Sequence, residues 1–134
     1  MGAGDDLWQL YQNESNQDLK RDIIRAMFVG GQTQRLENLA LNEKDISLRK
    51  DAIVSLGLLG PATTDTLTAL YQRDQSPEIR KAIMNAFFVQ GNAKALINIA
   101  RNEKNPQLRK TAVEKLSVMN SKDATDYMLE LLSK

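Results

Sequence analysis

Apolar residues along this chain recur with the spacing of one helix face, in segments of nearly constant length. In PEIRKAIMNAFFVQG, the residues Ile79, Ile83, Ala86 and Phe87 fall at i, i+4, i+7 and i+8, a single helical stripe. After a link of about two residues, NAKALINIARNE places Leu96, Ile99 and Ala100 at i, i+3 and i+4 on a second, shorter stripe. A link that short sets the two helices antiparallel. Ser76 suits the N-cap, Pro77 the first turn and Gly91 the stop. The same reading predicts first helices over 17–30, 46–59, 77–90 and 106–119, and second helices over 33–43, 62–73, 93–103 and 122–132. A further helix over 5–14 precedes them. By register it is the second helix of a unit whose first helix is missing. No segment alternates as a strand does, and the prolines at 61, 77 and 106 all fall at predicted helix starts.

The pattern is also copied. NEKDISLRK at 42–50 returns as NEKNPQLRK at 102–110, and residues 10–59 laid over 70–119 agree at 19 of 50 positions without a gap. That is a duplication. Each half divides again: LKR, LRK, IRK and LRK start at 19, 48, 79 and 108, in steps of 29, 31 and 29. Four units of about 30 residues (17–43, 46–73, 77–103 and 106–132) therefore tile one domain over 1–134, within the range typical of stacked repeats.

These units resemble HEAT repeats of the short bacterial type also found in bilin-lyase-like proteins. QSPEIRKAIMNAF and EKNPQLRKTAVEKL carry the Pro and the apolar–Arg pair that open the first helix in that family, and EKDISLRKDAIVSLGLLG carries its glycine-closed end. The first unit departs from the pattern in lacking Pro, and the last closes on SVMN instead of Gly. The resemblance implies an all-α fold: a short right-handed α-solenoid of about four two-helix HEAT-like repeats with an extra N-terminal helix. It further implies a concave face lined by second helices, displaying Arg35, Asn38, Asn42, Arg73, Asn98 and Arg101, with Ile97 and Trp8 as the apolar members. The function it implies is a non-enzymatic scaffold that binds a protein or peptide partner on that face. The alternatives are a chromophore-handling relative of bilin lyases, or the C-terminal repeat array of a larger envelope or signalling protein.

Composition narrows the chemistry. Lys plus Arg number 18 and Asp plus Glu 17, a net charge of +1, without the basic excess of a dedicated nucleic-acid binder. The chain has no cysteine and no histidine, which removes thiol nucleophiles, imidazole catalysis, thiolate zinc sites and disulfides. No cofactor or metal is expected. No apolar run approaches the roughly 18 residues of a membrane span, so the expectation is a soluble monomer, cytoplasmic or periplasmic. GLLG at 57–60 follows a helix, lacks phosphate-loop spacing, and reads as a helix stop.

The repeated phrase itself reads as a joint between units. Leu48 and Leu108 enter the core, while Arg49 and Arg109 reach a turn acid, a carbonyl, or Glu43 and Glu103. The weaker alternative is a basic stripe through Lys20, Arg21, Arg49, Lys50, Arg80, Lys81, Arg109 and Lys110. Tyr11, Ala40, Tyr71, Ala100 and Leu132 read as one packing position of alternating size. Trp8, the only tryptophan, reads as a cover over the open end of the core.

Overall fold

The structure is a computed structural model that describes residues 3–134, with side chains from residue 5 onward. Among the described residues there are nine α-helices and no strand. They are α1 (Ala3–Asn13), α2 (Gln17–Val29), α3 (Thr33–Asn42), α4 (Ile46–Leu58), α5 (Thr64–Arg73), α6 (Pro77–Val89), α7 (Ala93–Asn102), α8 (Pro106–Ser117) and α9 (Lys122–Leu132). The fold is all-helical, with neighbouring helices packed.

Local chemistry explains the boundaries. Asn16, Asp45, Ser76 and Asn105 occupy one position of the repeat. Each caps a helix by accepting the backbone N–H of Leu19, Leu48, Ile79 or Leu108, at 3.0, 3.1, 3.4 and 3.2 Å. Helices α2 and α6 stop in the same way. Gln32 N–H donates to the Met27 carbonyl and Asn92 N–H to that of Phe87, closing a turn that puts Gly31 and Gly91 at φ 67 and 66. A side chain at that φ is costly, so glycine holds the site in both halves.

The link after α4 differs from expectation. Pro61–Thr63 forms a 3-10 turn, and α5 starts at Thr64 instead of residue 62. The Thr63 hydroxyl donates to the Leu56 and Gly60 carbonyls, at 2.7 and 3.0 Å, and this ties the tighter turn to the end of α4.

Helices α2, α4, α6 and α8 each pack against the next; α3 also packs on α4, and α7 on α8. Helices α4 and α6 approach closely at Gly57. A Cβ built on Gly57 would lie 2.8 Å from Ala86 Cβ, so only glycine fits there. Helices α3, α5 and α7 approach one another less closely, which leaves clefts between them. One core runs through the chain from Tyr11 to Tyr127. Leu36, Leu67, Leu96 and Tyr127 hold a single repeat position and are all buried. Tyr11, Ala40, Tyr71 and Ala100 are buried as expected, but Leu132 is 80 % exposed. The 60-residue offset that relates Tyr11 to Tyr71 leads on to Leu131, and it is Leu131 that packs against the core.

Candidate interaction surface and the repeated joint

Every link between a second helix and the next first helix carries an acid two residues before the capping residue. These acids are Glu14, Glu43, Asp74 and Glu103. One carboxylate oxygen of each accepts the backbone N–H of the capping residue, at 2.9, 3.0, 2.9 and 3.1 Å for Asn16, Asp45, Ser76 and Asn105. The acid thus orients the cap, and the cap starts the helix.

In Glu43, Asp74 and Glu103 the other oxygen binds across the joint. Glu43 accepts from the Tyr11 hydroxyl, and Glu103 from the Tyr71 hydroxyl. Glu103 also accepts from Arg80 at 3.0 Å, and Asp74 from Arg49 at 2.6 Å. Arg49 Nε donates to the Ala40 carbonyl at 2.9 Å, Arg80 Nε to that of Asp74 at 2.8 Å, and Arg109 to that of Glu103 at 3.2 Å. The Arg80 guanidinium lies 4.7 Å over the Tyr71 ring; Lys20, at the equivalent place, lies 4.8 Å over the Tyr11 ring. The phrase that repeats in the sequence is therefore a built joint: acid, cap, apolar residue and cation, each with an assigned contact.

The electrostatics follow from burial and these bonds. Burial, then the bond to the carboxylate, pushes the Tyr11 and Tyr71 hydroxyls well above the ordinary tyrosine value. Burial also acts to raise the three joint carboxyls, but opposing interactions outweigh it and hold each below its ordinary value. For Glu43 these are the Asp45 N–H, the Tyr11 hydroxyl and the Lys20 charge. For Asp74 they are the Ser76 N–H and Arg49, and for Glu103 the Tyr71 hydroxyl, the Asn105 N–H and Arg80. Other cations of the basic series also meet acids of the next unit: Arg21 pairs with Asp51 at 2.7 Å and Lys50 with Glu78 at 3.7 Å.

The eight residues named from sequence as a partner surface do not converge on one cleft. Trp8, Arg35 and Asn38 lie where α1 meets α3. The Trp8 and Tyr11 rings are parallel, with centroids 6.3 Å apart, and Arg35 lies 4.8 Å over Trp8 while pairing with Asp5 at 3.2 Å. Trp8 is partly buried and packed against the core, with Arg35 of α3 over its ring. Asn42 and Arg73 lie on α3 and α5, where Arg73 donates to the Leu41 carbonyl at 3.2 Å. Ile97, Asn98 and Arg101 line an open cleft between α7 and α9, where Arg101 pairs with Glu130 at 2.7 Å. Two of the three arginines are thus already engaged by acids of this chain.

A cleft of about 400 Å³ opens between α5 and α7. Its wall is amide-rich: Gln72, Gln75, Asn98, Asn102 and Asn105, over an apolar floor of Ile99 and Leu108. Asn102 donates to the Asn98 side chain and carbonyl, at 2.8 and 2.9 Å, which fixes both amides. Gln72, Gln75 and Asn105 were not among the sequence-named residues. Their signal was present as amides clustered at the ends of α5 and α7, but it is readable only once those ends are known to face one cleft. Among the described residues, no group of three or more Asp, Glu, His or Cys side chains is placed to hold a metal. No described helix is long and apolar enough to cross a membrane. No family model matches the chain, and no curated protein matches it.

Proposed function

We propose that this chain is a non-enzymatic scaffold of the HEAT-repeat type, a short α-solenoid whose second helices present a binding surface for an extended peptide segment of a partner protein. The observation that carries the reading is the amide-walled cleft between α5 and α7. Gln72 and Gln75 each offer a donor pair and an acceptor, Asn98 and Asn105 offer their donors and Asn102 its acceptor, which matches the alternating N–H and C=O groups of an extended backbone. The apolar floor at Ile99 and Leu108 supplies a place for one anchoring side chain. The repeated joint supports the repeat assignment, because it recurs with the sequence period and ties each helical pair to the next.

The test is to pan a displayed library of random peptides against the immobilised chain. The expected outcome is enrichment of a related set of peptides, whose binding falls at least ~10-fold, about 1.4 kcal/mol, in a Gln72→Ala/Asn98→Ala/Asn102→Ala variant with an unchanged melting temperature. A library that yields no enriched family, or peptides indifferent to the triple variant, removes the proposal.

A further inference from the structure

The duplication gives each position in the first half an equivalent 60 residues on, and the two can be compared directly. Leu70 and Ile79 are fully buried at 0 %, whereas their equivalents Leu10 and Leu19 are 53 % and 49 % exposed. Leu67 is buried and its equivalent Leu7 is only partly so. Asp74 takes the Arg49 guanidinium at 2.6 Å. Its equivalent Glu14 holds the Ser15 and Asn16 N–H groups at 3.1 and 2.9 Å, and no lysine or arginine among the described residues lies within ion-pair distance. What covers the second-half face is on the page: α4 packs on α6, Arg49 of α4 reaches the acid at the end of α5, and α3 bonds to α5 through Glu37 and Thr66.

We propose that the open face of α1 and α2, formed by Leu7, Leu10, Leu19 and Glu14, is a docking site for a helical partner whose hairpin is chemically like α3–α4. The partner brings an aliphatic stripe to the leucines and an arginine to the Glu14 carboxylate. A second copy of this chain is a poor occupant. Its α7–α8 hairpin is the equivalent of α3–α4, but α9 already packs on both helices. Helix α9 also carries Glu130, paired with Arg101, where the other second helices have Leu10, Leu39, Leu70 and Ile99. One end of the molecule is finished in polar residues and the other is left apolar with an acid beside it.

The test keeps the full chain and supplies the hairpin. Residues 33–63 are duplicated directly ahead of residue 4, in the register by which residue 64 follows 63. The extended chain is expected to melt at least ~5 °C above the parent. Leu10→Glu is expected to be tolerated in the parent and to erase that gain in the extended chain. Reversing the charge of the added arginine is expected to remove part of the gain. An extended chain that melts with the parent, and tolerates Leu10→Glu equally well, overturns the proposal. So does a parent chain that light scattering shows to be a dimer and that Leu10→Glu makes monomeric, because a second copy would then own the face.

Discussion

The joint between α1 and α2 and the joint between α5 and α6 use the same residue types at the same positions, yet they differ in how far they are covered. Both have an acid, a cap, an apolar residue after the cap and a cation over a tyrosine ring. In the second, the apolar residues are buried and the acid has an arginine; in the first, the leucines face outward and the acid holds only backbone N–H groups. Among the described residues, the difference lies in what packs against the joint, and not in the motif. A repeated motif therefore specifies geometry, while its neighbours decide how much free energy that geometry contributes.

Substitutions at paired positions break this comparison most sharply in the core. Leu70→Ala is expected to cost about 3 kcal/mol, and Leu10→Ala less than ~1 kcal/mol, in denaturant unfolding, because only the first leaves a cavity. Equal costs would mean that Leu10 is covered in solution.

The acids come next. Asp74→Ala strands the largely buried Arg49 guanidinium and is expected to cost about 3 kcal/mol, against about 1 kcal/mol for Glu14→Ala. The pH dependence sharpens the contrast. The Asp74 carboxyl is held below its ordinary value in the folded chain, so its contribution is complete above about pH 4, the unfolded value. It is lost as pH falls through the folded value. The melting temperature is expected to be flat above about pH 5 and to decline in more acid solution. Asp74→Asn should lower the plateau and flatten the decline; an unchanged acid slope would show that the ion pair does not contribute.

The smallest effect concerns the covering helix. Gly57→Ala forces a methyl group onto Ala86 and is expected to cost about 2 kcal/mol. Ser117→Ala, at the exposed equivalent position on α8, should stay within ~0.5 kcal/mol by the same measurement.

Much of the fold was legible because helix periodicity, caps and stops agree at most boundaries. Predicted and observed helix ends differ by two residues or fewer. Two expectations differ from the structure: Pro61–Thr63 tightens into a 3-10 turn ahead of α5, and Leu131 takes the packing position in place of Leu132, as the 60-residue offset from Tyr71 requires. The surface was legible by residue type but not by commitment. Nothing in the sequence around Arg35 or Arg101 names Asp5 or Glu130, each about 30 residues away, as the acid it pairs with. The contrast between Leu10 and Glu130 lay in plain letters, and acquired meaning only through the register that aligns the two helices.

The acid that orients each cap has one more consequence. The links that carry it, 14–16, 43–45, 74–76 and 103–105, are all three residues long, whereas the links inside the units run to three, five, three and four. An added residue in the first kind would separate carboxylate from cap and misdirect the helix that follows. Length change belongs in the opposite set of turns, where the exposed Asn120, beyond the core-packed Met119, is the natural place to graft a loop, an epitope or a fluorophore.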